Sequence, residues 1–265
     1  MKNIIITGTS RGIGFELALQ FANAGHQVLA ISRKMPKELL ENSNITCLSV
    51  DLSDEKELHQ VTDFLSQAWK KVDIVIHNAG SLVLKPFLQL TNSDFEKVYQ
   101  INVFAVANLT RVCLPFMQKG SHVVTISSMG GVQGSSKFAG LAAYSSSKGA
   151  VITLSELLAE EYKEQGISFN VLALGSVQTE MLNEAFPGYQ APISAEGMAT
   201  YIYDFTLNGN KYFKTHRSFR FGIGGYAGIN LKSKQILKFE EEDLKYKTTI
   251  KGDYNVNNFI YGLSS

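Results

Sequence analysis

Apolar and polar positions along the first two thirds of the chain switch repeatedly between a short continuous run and a helical spacing. Asn3 to Thr7 is a compact apolar run, β-branched at its centre, and predicts a buried strand. Ile13, Leu17, Phe21 and Ala24 recur at helical spacing, and Gly25 stops that helix. Gln27 to Ser32 and Ile45 to Val50 predict the second and third strands. Asp51 or Ser53 is placed to cap a helix running through Leu58, Val61, Phe64 and Leu65. Val72 to His77 predicts a fourth strand. Ser93-Asp94-Phe95-Glu96 resembles a capping box opening a helix near Asp94, followed by a longer apolar one to about Met117. His122 to Ser127 predicts a fifth strand, Tyr144 to about Gln165 a long helix, and Ile167 to Leu174 a sixth strand.

Strands separated by helices require crossovers, and crossovers require a parallel sheet covered on both faces. The expected fold class is therefore α/β: a doubly wound parallel sheet of Rossmann type in three α/β/α layers. In such sheets ligands bind beyond the carboxyl ends of the strands, where strand order reverses. We expect residues 1–208 to form one dinucleotide-binding and catalytic domain. From about Gly209 the pattern degrades into a divergent segment, 209–265. Phe219 to Gly225 predicts a seventh strand ending in a glycine turn, Lys232 to Lys251 is charge-rich, and Gly252 to Ser265 reads as a solvated tail.

Composition narrows the function classes. Lys+Arg 25 against Asp+Glu 24 gives a net charge of +1, so the chain offers no general attraction to nucleic acid or an acidic membrane. Two cysteines, Cys47 and Cys113, cannot build a disulfide framework and lack metal-ligand spacing, so no metal is expected. No apolar run approaches the ~20 residues of a spanning helix. The Ile4-Ile5-Ile6 run ends at Thr7-Gly8, too early for a secretory signal, which leaves the cytoplasm as the expected setting.

Two constellations carry chemistry. Thr7-Gly8-x-x-x-Gly12-x-Gly14 falls between a strand and a helix. Glycines let the backbone turn tightly and approach a pyrophosphate, and the helix N-terminus supplies unpaired N–H groups. The second strand ends Ser32-Arg33-Lys34, with no carboxylate for a ribose 2′-hydroxyl. Arg33, joined by Arg11 from the glycine loop, offers planar donors to a 2′-phosphate, so NADP(H) is expected over NAD(H). The second constellation is Tyr144-Ser145-Ser146-Ser147-Lys148, whose ends share a helix face. An ammonium near a phenol favours phenolate and is expected to lower the Tyr144 pKa, fitting it for acid–base work on a carbonyl or alcohol. Ser127-Ser128 supplies hydroxyls that can polarise that carbonyl.

Over roughly residues 1 to 182 these blocks resemble the short-chain dehydrogenases/reductases. The glycine turn, with Ser10, Arg11 and Ile13 inside it, is similar to that family's cofactor loop, with Ser32 and Arg33 following. Asp51-Leu52 resembles the acidic site beside the adenine, and Asn78-Ala79-Gly80 the turn that supports the cofactor. Asn102, Ser128, Tyr144 and Lys148 fall where the family keeps its catalytic Asn, Ser, Tyr and Lys. The resemblance implies direct hydride transfer between the nicotinamide and a carbonyl or alcohol. It gives the proton to Tyr144, the carbonyl hydrogen bond to Ser128, the nicotinamide ribose to Lys148 (also a cofactor contact, like Tyr144), and a relay water to Asn102. Val177 and Thr179 are positioned by it to contact the carboxamide.

The chain departs from the family pattern at named positions. His77 precedes Asn78 where Asn is usual, the Ser128-to-Tyr144 gap is long and Gly/Ser-rich, and Leu174 stands where Pro usually precedes Gly. Specificity is expected from the Gly130–Gly140 loop and from a lid at about 180–201 containing Met181, Leu182, Phe186, Pro187, Tyr189 and Met198. The expected partners are a small carbonyl or alcohol and further copies of the chain. The rival readings are a non-catalytic NADP-binding sensor or scaffold, and a nucleotide-sugar epimerase or dehydratase.

Overall fold

The computed structural model describes residues 1–212, 220–221, 235–241 and 244–250, with side chains up to residue 209. Six strands form the sheet's body: β1 (Asn3–Thr7), β2 (Gln27–Ser32), β3 (Ile45–Ser49), β4 (Ile74–His77), β5 (His122–Ser128) and β6 (Ser168–Leu174). The helices are α1 (Gly12–Asn23), α2 (Lys37–Leu40), α3 (His59–Phe64), α4 (Asn92–Tyr99), α5 (Ala105–Cys113), α6 (Ala142–Glu161), α7 (Glu180–Ala185) and α8 (Ala195–Tyr212). A two-residue strand, β7 (Arg220–Phe221), pairs parallel with β6 inside the stretch expected to hold a seventh strand. β8 (Gln235–Glu241) and β9 (Leu244–Ile250) form an antiparallel hairpin within the charged stretch to which the sequence pattern assigned no element. The tail expected at 252–265 lies outside the described residues.

Strand order is β3-β2-β1-β4-β5-β6-β7 and every pairing in this sheet is parallel. The chain winds outward from β1 to β3, then crosses back to place β4 against the other edge of β1. The gap between β1 and β4 is thus the switch point at which a doubly wound sheet opens a ligand crevice. Side chains two apart share a face, so Ile4 and Ile6 pack with Leu17, Phe21 and Ile202 under α1 and α8. Ile5 goes to the opposite layer with Val61, Leu109 and Ala159 from α3, α5 and α6. That alternation makes the three layers.

Two helix starts differ from the sequence expectation. The stretch after β3 is capped by Asp54, whose side chain accepts from the Lys56 amide at the head of a 3-10 turn; Asp51 instead binds Ser53. The capping box of α4 is Thr91 with Asp94, and Lys85 locks it by donating to the Asp94 carboxylate at 2.7 and 2.9 Å. Between the helix expected near Asp94 and the longer apolar one expected to about Met117 lies a π-helical turn at Gln100–Phe104, which carries Asn102, and the apolar helix α5 ends at Cys113.

Two imidazoles are sealed in the core. His77 shares a 2.9 Å hydrogen bond with the Thr110 hydroxyl, and His122 binds the Thr206 carbonyl and the Asn170 amide. Burial pushes His77 down to about 3 and His122 down to about 4. Unfolded histidines take up a proton near pH ~6.5 while these stay neutral, so the unfolded state gains protons first as pH falls. Their contribution is fully present above pH ~6.5 and is lost downward, at up to about 1.4 kcal/mol per pH unit for each ring. Urea unfolding at pH 7.5 and pH 5 should give a clearly lower midpoint at the acid value; equal midpoints would contradict this account.

Candidate active site

The end of β1 and the end of β4 are stitched together. The Asn78 side-chain amide donates to the Thr7 and Gly8 carbonyls at 3.0 and 3.2 Å, and the Thr7 hydroxyl accepts from the Asn78 and Ala79 amides. Gly8 and Gly12 take φ of +72° and +60°, a region costly for other residues. A Cβ at Gly14 would stand 2.3 Å from the Gly8 carbonyl oxygen and 2.4 Å from Asn78 Nδ2. Gly14 therefore lets α1 press against the turn. No side chain caps the N-terminus of α1 and its first turn holds no acid, so its N–H groups are left for an anion.

Of the catalytic and cofactor-binding residues expected from the sequence, all but Gly14 and Asn102 line one cleft of about 2220 Å³. Ser10, Gly12 and Ile13 form its floor beside Ala79 and Gly80. Among the described residues, the groups able to hold a dinucleotide are therefore gathered: a glycine cradle, an open helix N-terminus and a basic rim. Ser32 spends its hydroxyl locally, accepting from Thr9 and donating to the Lys34 carbonyl at 2.7 Å. Arg33 is exposed at the rim. The Asp51 carboxyl is held below its usual range, chiefly by two hydrogen bonds from Ser53 and also by the Arg33 charge. Arg11, read from the sequence as a partner of Arg33, is paired instead with Glu184 on α7.

The two serines at the end of β5 divide their work. Ser127 is buried and donates to the Lys148 carbonyl at 2.8 Å, fastening the sheet to α6. Ser128 lines the cleft, accepts from the Gly130 amide and interacts with the Tyr144 hydroxyl. Lys148 Nζ lies 5.8 Å from the centre of the Tyr144 ring. It donates one proton to the Ile126 carbonyl at 2.9 Å, which leaves two for other acceptors.

The expected electrostatics need correction. Burial raises the Tyr144 pKa above the ordinary phenol value, and the Ser128 hydrogen bond offsets only part of it. Lys148 is itself buried and its amine is pushed down to about 8. The cost of desolvating the phenolate outweighs the ammonium nearby, so the phenol is the resting form at neutral pH.

Asn102 is 1% exposed and fully occupied in the interior. Its amide donates to the Ser81 carbonyl and the Ser147 hydroxyl, and its oxygen accepts from the Ser81 amide at 2.8 Å. Ser147 in turn donates to the Tyr144 carbonyl. Asn102 thus ties the loop that follows Gly80 to the helix carrying Tyr144 and Lys148. Ser81 and Ser147 were missed in the sequence; Ser147 lay inside the Tyr-x-x-x-Lys block, one residue before Lys148.

The walls of the cleft are of two kinds. The Gly130–Gly140 loop is fastened to itself: the Lys137 ammonium donates to the Gly130 and Val132 carbonyls and the Ser135 hydroxyl. On the other side, Val177 is buried and Thr179 caps α7 by accepting from the Leu182 amide. Met181, Leu182, Phe186 and Tyr189 line the cleft. Met198, expected among the lid residues, does not: it is wholly buried against the α1 layer. His77 leaves the Asn78 turn intact by bonding into the core, and Leu174 packs at the end of β6.

Comparison with known proteins agrees with this architecture. A short chain dehydrogenase family model matches residues 2–190. The 7alpha-hydroxysteroid dehydrogenase of Escherichia coli (strain K12) is 33% identical over 190 residues, 68% of this chain and 73% of that protein. The NADPH-dependent pterin aldehyde reductase of Arabidopsis thaliana is 31% identical over 223 residues, covering 79% and 90%. Among solved structures, ElxO with NADP bound is 27% identical and superposes with a TM-score of 0.72, covering 84% of this chain and 98% of that one. A 4-hydroxyisoleucine dehydrogenase complexed with NADH, 24% identical, shares the fold with a TM-score of 0.74 over 86% of this chain and 100% of that one. No helix among the described residues is long and apolar enough to cross a membrane. With a matching family model over most of its length and a Rossmann-type sheet beneath its cleft, this chain belongs to the short-chain dehydrogenase/reductase family of oxidoreductases.

Proposed function

We propose that the chain is an NADP(H)-dependent oxidoreductase that interconverts a carbonyl and an alcohol, with Tyr144 as general acid and base. The observation that carries this reading is the meeting of Ser128, Tyr144 and Lys148 in the same cleft as the glycine turn. A bound dinucleotide supplies or accepts the hydride; the chain's own residues handle the proton and the charge. Gly8, Ser10, Gly12 and Ile13 accept the pyrophosphate at the head of α1. Asp51 and Leu52 border the adenine, and Asn78, Ala79 and Gly80 hold the turn beneath the ribose. Val177 and Thr179 meet the carboxamide, and Lys148 uses its remaining protons on the nicotinamide ribose. Ser128 donates to the substrate oxygen while Tyr144 gives it a proton, so charge developing there meets two fixed donors. Asn102 acts by holding α6 in register, with Ser147 between them.

The lid side chains Met181, Leu182 and Phe186 favour a moderately apolar substrate. One relative, named for a hydroxysteroid, is in keeping with that class, while another is named for a pterin aldehyde, a polar heterocyclic carbonyl. The same reading makes the chain a cytoplasmic homo-oligomer. A panel of ketones and aldehydes with NADPH consumption as readout tests the activity; silence across steroid, pterin and small apolar carbonyls would count against it.

Cofactor choice is tested separately. Arg33 at the rim, with no carboxylate at the end of β2, supports NADPH over NADH. Charge-assisted hydrogen bonds contribute roughly 1.5–3 kcal/mol, about ten- to a hundredfold in affinity. Arg33→Ser should weaken NADPH binding by that order and leave NADH binding unchanged, as read by fluorescence titration. Equal losses for both cofactors would remove Arg33 from the 2′-phosphate site.

A further inference from the structure

α7 turns two carboxylates toward the glycine turn. Glu180 Oε2 lies 3.3 Å from where a Cβ on Gly12 would stand. Glu184, one helical turn further, meets Arg11 as a fork: the Arg11 Nη1 donates to Glu184 Oε1, and Nη2 to Oε2 at 3.0 Å. Arg11 immediately precedes Gly12, where α1 begins, and it borders the same groove as Ser32, Arg33 and Lys34. The pair is open to water, with 47% and 63% of the two side chains exposed.

A guanidinium offers a planar edge of two N–H groups that fits carboxylate and phosphate oxygens alike. The edge now on Glu184 cannot serve a phosphate at the same time. Resting on the NADP(H) reading above, we infer that Glu184 is a specificity-determining residue whose carboxylate competes with the cofactor's 2′-phosphate for Arg11. A cofactor bearing the 2′-phosphate draws Arg11 away and releases α7 from the glycine turn. A cofactor lacking it leaves the pair closed. The lid is therefore looser with NADPH than with NADH, and the preference of the wild-type protein for NADPH is smaller than its basic residues alone would give.

The exposure of the pair sets the size of the effect. Exposed ion pairs hold only weakly, so abolishing the competition is worth roughly two- to fivefold in affinity. The test is a four-protein titration with NADPH and with NADH: wild type, Glu184→Gln, Arg11→Met and the double variant. Glu184→Gln should tighten NADPH roughly two- to fivefold with NADH unchanged, and the gain should vanish in the Arg11→Met background. Hydrogen exchange of the α7 amides in the wild type should be faster with saturating NADPH than with saturating NADH. Weaker binding of both cofactors in Glu184→Gln would overturn the inference, making the pair a simple latch. Equal tightening of both, or a gain that persists without Arg11, would also overturn it. Thermal midpoints of all four proteins separate a folding defect from a binding change. The wild-type ratio of NADPH to NADH affinity reports on the cofactor reading alone: a ratio of one would sink that reading while leaving the Glu184→Gln comparison able to stand or fall by itself.

Discussion

Tyr144→Phe is expected to lower turnover by about 10²- to 10⁴-fold while changing NADPH affinity little. The substitution removes one oxygen and keeps the ring, so α6 and the packing around Lys148 are preserved. What disappears is the proton donor beside Ser128. Ser128 still hydrogen-bonds the substrate oxygen, which leaves charge stabilisation without proton transfer and accounts for a small residual rate. Because burial holds the phenol protonated at neutral pH, carbonyl reduction starts from the competent form. Alcohol oxidation needs the phenolate and should gain as pH rises. Steady-state rates of Tyr144→Phe with a carbonyl found in the substrate panel provide the check. A variant retaining a tenth or more of the wild-type rate would mean that another group gives the proton.

Gly131→Ala is expected to damage both stability and rate, through a backbone collision. An added Cβ would stand 2.5 Å from the Lys148 carbonyl carbon, 2.6 Å from the Gly149 amide nitrogen and 2.8 Å from the Lys148 oxygen. All three are main-chain atoms of α6, so no side chain can turn away to make room. The helix must move off the end of β5, at a packing cost of at least about 1–3 kcal/mol. For a chain of this size that lowers the melting temperature by roughly 2–12 °C. The same movement parts Tyr144 and Lys148 on α6 from Ser128 on the strand, and a misplacement near 1 Å costs about a hundredfold in rate. Gly130→Ala is the control: there the nearest atom is the Ser145 hydroxyl at 2.8 Å, a side chain free to rotate. Thermal melts and turnover of the two variants, side by side, test the argument; wild-type values for Gly131→Ala would refute it.

The parts of this fold that could be read directly are those with local causes. A β-branched run such as Ile4-Ile5-Ile6 has few alternatives to a buried strand, and glycines at the β1–α1 turn mark where the backbone needs room. Tyr144 and Lys148 are a helical turn apart wherever that helix lies. Features with distant causes were hidden. Both Thr91-to-Asp94 and Ser93-to-Glu96 fit a cap by spacing; Lys85, docked on Asp94 from the preceding loop, decides between them. The π turn at Asn102 owes its shape to bonds reaching Ser81 and Ser147. Met198 has the side chain of a lid residue but faces the α1 layer. The Tyr144 shift was misjudged because a sequence records which charges are near and omits how dry the site is. Arg11 and Glu184 are 173 positions apart, beyond any local pattern.

The loop hung on the Lys137 ammonium and the helix hung on Arg11 border the same opening, yet one closes upon its own carbonyls and the other upon the nucleotide end. On the proposed reading the Lys137 loop bears on substrate range alone, while α7, which carries Met181 and Leu182 as well as Glu184, bears on substrate and cofactor together. Grafting a different 132–140 segment should re-tailor which molecules enter while leaving nucleotide preference as it was, whereas any change to α7 will disturb both at once.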